Sequence, residues 1–95
     1  MPATQIVDVA IPAHNVAGCI GPTLDAVFAQ ALPVGTELRV HIADDGSTDG
    51  LGALLADRYE QRVALRVHAQ NRGRSAACNT AIGHGIGDIV IVLDA

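Results

Sequence analysis

Glu37 to Gly50, ELRVHIADDGSTDG, is the stretch that decides the fold. Glu37 to Ala43 alternates apolar and polar side chains, the pattern of a strand with one buried face. Asp44 to Asp49 (DDGSTD) then gathers the short polar side chains that favour a loop and cap a following helix. Leu51 to Tyr59 has the length and spacing of that helix. A strand feeding through a polar loop directly into a helix is half of a βαβ unit, and the same order recurs on both sides.

Upstream, Gln5 to Pro12 (QIVDVAIP) forms a first strand, stopped by Pro12 and the polar pair His14-Asn15. Ala17 to Ala31 places Ile20, Leu24, Val27, Phe28 and Ala31 at helical spacings. Pro22 lies near the start of that helix, where a missing N–H costs little, and Leu32-Pro33-Val34-Gly35 ends it. Downstream, Val63 to His68 (VALRVH) is a third strand and Gln70 to Arg74 a polar loop. Ser75 caps a third helix running to about Ile82, and Gly83, Gly85 and Gly87 stop it and turn the chain. Asp88 to Leu93 (DIVIVL) is a fourth strand whose unbroken hydrophobicity predicts burial on both faces. The order β-α-β-α-β-α-β with short connections predicts parallel pairing through right-handed crossovers. The expected architecture is a mostly parallel, doubly wound, Rossmann-like α/β sheet, one domain over residues 1–95.

Composition narrows the function. At 95 residues the chain can bury roughly 60–70% of its unfolded surface, enough for one modest core. An apolar fraction of 49% against 17% charged residues excludes a disordered chain. Six arginines, no lysine and ten acidic residues leave a net charge of −4, which argues against nucleic acid or an anionic membrane as the main partner. With Phe28 and Tyr59 the only aromatic residues, base-stacking platforms are not expected. The longest apolar run, Ile89 to Leu93, is too short to span a bilayer, and MPATQ lacks the basic and apolar regions of a signal peptide. Cys19 and Cys78 have neither metal-ligand nor CxxC spacing, so both are expected as small buried thiols in a reducing compartment, the cytoplasm.

Open parallel sheets bind ligands outside the carboxyl ends of their strands, where strand order reverses. If the order is 3-2-1-4, that rim gathers Pro12-Ala13-His14-Asn15 from strand one, Asp44-Asp45 from strand two and Asp94 from strand four. An apolar core has no use for such a cluster, because unpaired buried charge is expensive. The plainer alternative is that Asp44 and Asp49 only cap the second helix while Asp94 is solvated. The turn after strand one, HNVAGCIG, lacks the GxGxxG of dinucleotide folds, and no GxxxxGK[ST] is present. Receiver domains carry their acidic pair after the first strand, whereas this one follows the second. His41, His68 and His84 sit on strands or a turn without a partner pattern and are expected to be structural.

Four stretches together resemble family 2 glycosyltransferases of the GT-A fold, over essentially the whole chain. They are Val9-Ala10-Ile11-Pro12-Ala13-His14-Asn15; Asp44-Asp45-Gly46-Ser47-Thr48-Asp49; Asn71, Gly73, Ala77 and Asn79 of an Asn-x-Gly-x-x-x-Ala-x-Asn pattern; and Gly87-Asp88 leading to Leu93-Asp94-Ala95. The resemblance implies that Pro12, Ala13, His14 and Asn15 flank the base of a nucleotide-diphospho-sugar, a UDP-sugar being the expected donor. Asp45, with Asp44, would accept a hydrogen bond from base or ribose. Arg74, with Arg72 as the alternative, would lie near base or diphosphate. Asp94 matches the first acid of the DxD motif, near ribose and a divalent metal, Mg²⁺ or Mn²⁺. Such a cation takes oxygen ligands and neutralises the leaving diphosphate.

Three departures from the family pattern matter. His14 stands where an aromatic residue is usual, and Cys78 where an arginine often precedes Asn79. The sequence also stops at Ala95, before the second DxD acid and the half that carries the acceptor site and the general base of an inverting transfer. The expectation is therefore a domain cut at DxD, inactive alone, with membrane association through absent regions and self-association through an uncovered fourth-strand edge. A non-catalytic nucleotide-binding or scaffold module is the alternative. A sugar nucleotidyltransferase is disfavoured, because HNVAGCIG lacks the glycine- and arginine-rich loop it needs.

Overall fold

The computed structural model describes residues 5–59, 62–83 and 87–94. Its elements are β1 (Gln5–Ala13), α1 (Ile20–Phe28), β2 (Thr36–Asp45), α2 (Leu51–Tyr59), β3 (Val63–His68), α3 (Arg74–Gly83) and β4 (Ile89–Val92). The strands pair in parallel, as the sequence predicts, and their order is β3-β2-β1-β4, the one supposed in locating the rim.

Side-chain alternation divides the core between the two faces of the sheet. Val9, Ile11 and Ala13 of β1 and Val40 and Ile42 of β2 pack with Ile20, Leu24 and Val27 of α1 and with Leu51, Leu55 and Tyr59 of α2. On the opposite face Ala10 and Ala43 meet Ala77 and Ala81 of α3. Helices on both faces make the sheet doubly wound, and the all-alanine contact lets α3 lie close over β1 and β2. Tyr59 closes the bottom of the larger core, its hydroxyl donating to Asp25 Oδ1 at 2.7 Å.

Several boundaries differ from expectation by a few residues, and so does the burial of β4 and of Cys19, which is exposed, with Cys78 half-buried. The helix predicted over Ala17 to Ala31 spans Ile20–Phe28. Its leading residues are spent on a turn in which Cys19 and Ile20 both donate to the Val16 carbonyl. β2 continues to Asp45 rather than stopping at Ala43, because Asp44 and Asp45 pair with Val67 and His68 of β3. The third helix begins at Arg74, so Ser75 lies inside its first turn.

The difference at β4 is the largest. β4 is predicted to be buried on both faces, yet Ile89, Val90, Ile91 and Val92 are each 41–44% exposed. It is an edge strand hydrogen-bonded to β1 from Val7↔Ile89 to Ala10↔Val92. α3 packs mainly over β1 and β2 and only its margin reaches β4, and among the described residues no strand pairs with β4's outer edge.

The chain enters β4 through a tight approach to β1. Gly87 N–H donates to Asp8 Oδ2, Asp88 N–H to the Ile6 carbonyl at 2.8 Å, and Ile6 N–H to Asp88 Oδ2 at 2.9 Å. A Cβ on Gly87 would fall 2.6 Å from the Ile6 carbonyl oxygen, so this position requires glycine. Asp8 is fully buried and also accepts the His41 Nε2–H at 2.6 Å. Burial pushes its carboxyl up, but the bonds from His41 and Gly87 outweigh that and hold it below the ordinary carboxylate value. His41 is structural as expected, although it has a partner that no sequence pattern announced. Gly85 and His84 lie outside the described residues.

Candidate functional site at the carboxyl edge of the sheet

The β1–α1 and β2–α2 loops are stapled together. Asn15 adopts a left-handed backbone with φ of 52°, a conformation asparagine tolerates better than most residues. Its N–H donates to Ser47 Oγ at 3.0 Å, and its Oδ1 accepts the Thr48 N–H at 2.8 Å. Asp49 reaches across the same gap, accepting the Ala17 N–H at 2.9 Å on one oxygen and the Leu51 N–H of α2 at 3.2 Å on the other. Asp44 is buried and accepts the Ser47 N–H at 3.0 Å, which fixes the turn after β2.

Asp45 organises the third loop. Its Oδ1 accepts the Arg72 N–H at 2.8 Å and the His68 Nδ1–H at 2.8 Å, and its Oδ2 accepts the Gly73 N–H at 2.8 Å. The Arg72 amide and the His68 bond, helped by Gly73, hold this carboxyl below its ordinary value against the opposing effect of burial. Asp45 is therefore an ionised, acceptor-only group at neutral pH. Gly46 makes the arrangement possible: its φ is +71° and a Cβ there would lie 2.6 Å from the Asn71 nitrogen.

Above this network opens a cleft of about 640 Å³, lined by Pro12, Ala13, His14, Val16, Asp45, Asn71, Gly73, Arg74, Ala77 and Asp94. His14 is oriented by its Nδ1–H, which donates to the Asp45 carbonyl at 2.9 Å. At the rim the Arg74 guanidinium bonds the Asp94 carboxylate. Both side chains are largely exposed, so the pair is screened and can open for a ligand. The cleft thus combines apolar lining from Pro12, Ala13, Val16 and Ala77, one buried carboxylate and an exposed charge pair. That combination suits a planar polar-edged group joined to an anion.

Of the eight residues singled out from sequence, Pro12, Ala13, His14, Asp45, Arg74 and Asp94 come together as cleft lining. Asn15 and Asp44 are not among the lining residues and serve the loops beneath. Arg72 contributes its backbone amide to Asp45 rather than its side chain to the cleft. His68, expected to lack a partner, holds Asp45 on one ring nitrogen and Thr80 Oγ1 on the other, at 2.8 Å. The signal that could have found it is positional: in a 3-2-1-4 parallel sheet the last residue of strand three lies beside the last of strand two.

Among the described residues no group of three or more His, Cys, Asp or Glu side chains converges to hold a metal ion. Asp94 offers a single exposed carboxylate at the rim. That is a partial fit for a hard cation, which completes its shell with phosphate oxygens and water.

Comparison with solved structures defines the class. The mannosyltransferase PcManGT from Pyrobaculum calidifontis, in complex with GDP-Man and Mn²⁺, superposes with a TM-score of 0.80 at 29% identity, over 99% of this chain and 29% of that one. TarS residues 1–349 of S. aureus, in complex with UDP, gives 0.83 at 24% identity over 95% of this chain and 27% of that one, a likeness of fold alone. The fold is that of GT-A glycosyltransferases. The model of the Glycosyl transferase family 2 matches residues 8–95, and the chain belongs to that family.

Curated relatives include the undecaprenyl-phosphate 4-deoxy-4-formamido-L-arabinose transferase of Edwardsiella ictaluri, 32% identical over 94 residues, 96% of this chain and 29% of that protein. The chondroitin synthase of Escherichia coli is 35% identical over 78 residues, 81% of this chain and 11% of that protein. The chain therefore spans less than a third of the length of these relatives. No helix among the described residues is long and apolar enough to cross a membrane.

Proposed function

We propose that this chain is the donor-nucleotide half of an inverting glycosyltransferase, which moves a sugar from a nucleotide-diphospho-sugar, a UDP-sugar being the expected donor, to an acceptor. The observation that carries this reading is the cleft at the carboxyl edge, with ionised Asp45 on its wall and Arg74 and Asp94 at its rim. Pro12, Ala13 and His14 border the base. Asp45 accepts a hydrogen bond from base or ribose. Arg74 turns from Asp94 to the diphosphate, whose oxygens match a guanidinium fork. Asn15 and Asp44 act from beneath, by holding the two loops that shape the wall.

Asp94, freed from Arg74, would hold Mg²⁺ or Mn²⁺ together with diphosphate oxygens. The cation supplies neutralisation of the negative charge that grows on the leaving diphosphate. The chain spans 29% of the length of the arabinose transferase it resembles, and the acceptor site and general base of such an enzyme would lie outside that share, so little transferase activity is expected of these residues by themselves. The same reading places the protein in the cytoplasm, with any membrane association made through other regions. That the mannosyltransferase holds GDP-Man and Mn²⁺ supports a nucleotide-sugar donor for this chain without choosing its base.

The test is titration of the chain with UDP and GDP, with and without Mn²⁺, followed by calorimetry and thermal unfolding. Saturable binding that strengthens with Mn²⁺ is expected, and a nucleotide at 100 times its Kd adds about 2.7 kcal/mol of stability. Asp94→Asn should remove the Mn²⁺-dependent part and leave the fold intact. Absence of binding by either nucleotide would overturn the reading in favour of a scaffold module, for which the uncovered β4 edge is the supporting feature.

A further inference from the structure

A carboxylate has two oxygens and about four lone-pair directions. Oδ1 of Asp45 has both of its own filled, by His68 Nδ1–H and Arg72 N–H, and Oδ2 has one filled, by Gly73 N–H. About one acceptor direction is left, on Oδ2, and only 3% of the residue is exposed at the cleft wall. A ligand therefore meets a single acceptor here, not a carboxylate with two free oxygens.

His68 is the side chain that enforces this. Its ring is 7% exposed and absent from the cleft lining, so it reaches a ligand only through Asp45. Because Asp45 can only accept, Nδ1 carries a proton, and Nε2 lies 2.8 Å from Thr80 Oγ1, a hydroxyl able to donate to it or accept from it. Both ring nitrogens are used, and the imidazole cannot turn without breaking two bonds. Without His68, the carboxylate would be tied by the Arg72 and Gly73 amides alone and could rotate to present both oxygens.

Resting on the nucleotide-donor reading above, we propose that His68, pinned by Thr80, is a specificity-determining positioning residue. By occupying Oδ1 of Asp45 it makes the cleft take a base that offers one N–H between two carbonyls, as uracil does, over a base that offers adjacent donors, as guanine does. The uracil edge needs one acceptor, and Asn71, which also lines the cleft, carries an amide able to donate to a flanking carbonyl. The guanine edge needs two acceptors side by side, and one of its donors would be buried unpaired.

The experiment compares UDP and GDP affinities of the wild-type chain with those of His68→Asn, His68→Leu and Thr80→Val. A lost hydrogen bond to a charged group corresponds to roughly tenfold or more in affinity, so wild type is expected to favour UDP by at least about that factor. His68→Asn keeps an N–H near the Nδ1 position and should retain the preference. His68→Leu removes the donor, and its UDP:GDP ratio should fall to within about threefold. A merely structural role would weaken both nucleotides together and leave the ratio unchanged; that result overturns the proposal, as does a wild-type preference for GDP. Where His68→Leu fails to fold by circular dichroism, Thr80→Val decides: a narrowed ratio supports the proposal and an unchanged ratio overturns it. Wild type binding neither nucleotide would instead sink the donor-nucleotide reading, and this inference with it.

Discussion

Asp45 and Gly46 carry most of what is distinctive at the residue scale. Asp45 and Asp8 both hold carboxyl groups below their ordinary value of 3.8. A lowered folded value means the unfolded chain takes up protons first as pH falls. The stability these groups contribute is thus complete above the unfolded value and is lost as pH drops through it towards the folded one. Urea midpoints measured against pH should be flat from about 5 to 7 and decline below about 4. Asp45→Asn should lower the midpoint at neutral pH, because an amide nitrogen then faces the Arg72, Gly73 or His68 donors, and should flatten part of the acid decline. Gly46→Ala brings a Cβ within 2.6 Å of the Asn71 nitrogen at a φ of +71°; a loss of about 2–3 kcal/mol in urea unfolding is expected. Asp45 was legible in sequence as an acid ending a strand. Its partner His68 was not, because their meeting depends on the register of two strands and no local pattern encodes register.

At the scale of elements, the two faces of the sheet should respond differently to substitution. The α1–α2 face is built of large aliphatic side chains, so Leu24→Ala, at a fully buried position, should cost about 2–5 kcal/mol through the cavity it leaves. The α3 face is closed by Ala10, Ala43, Ala77 and Ala81. There the damage comes from addition: Ala81→Leu should cost about 1–3 kcal/mol by overpacking, while Ala26→Leu on the exposed side of α1 stays within about 0.5 kcal/mol of wild type. Chemical denaturation of the three variants checks the contrast. Helix and strand types followed from periodicity alone. Their ends did not, since the Val16–Ile20 turn trims α1 and pairing with β3 extends β2, both of them effects of what lies alongside.

At the scale of the whole molecule, β4 is the open question of assembly. Its four apolar residues stand at a sheet edge, each more than 40% exposed, and free edges of this kind recruit strands. Sedimentation should therefore show concentration-dependent self-association that Ile91→Lys suppresses without loss of helical circular dichroism; a monomer at high concentration would count against it. Element order and parallel topology could be derived from the sequence by itself, and the gathering of acids at one rim followed once the order 3-2-1-4 was supposed. The first two rest on local periodicity and on the handedness of short crossovers, which act on any chain with this pattern, whereas the strand order itself came from the tertiary structure. Only the tertiary structure decided that Asp45 is tied to His68, that Asn15 and Asp44 brace loops beneath the cleft, and that β4 is exposed. A hydrogen bond depends on which groups are brought within about 3 Å, and burial depends on what lies above a residue; neither belongs to a segment taken alone.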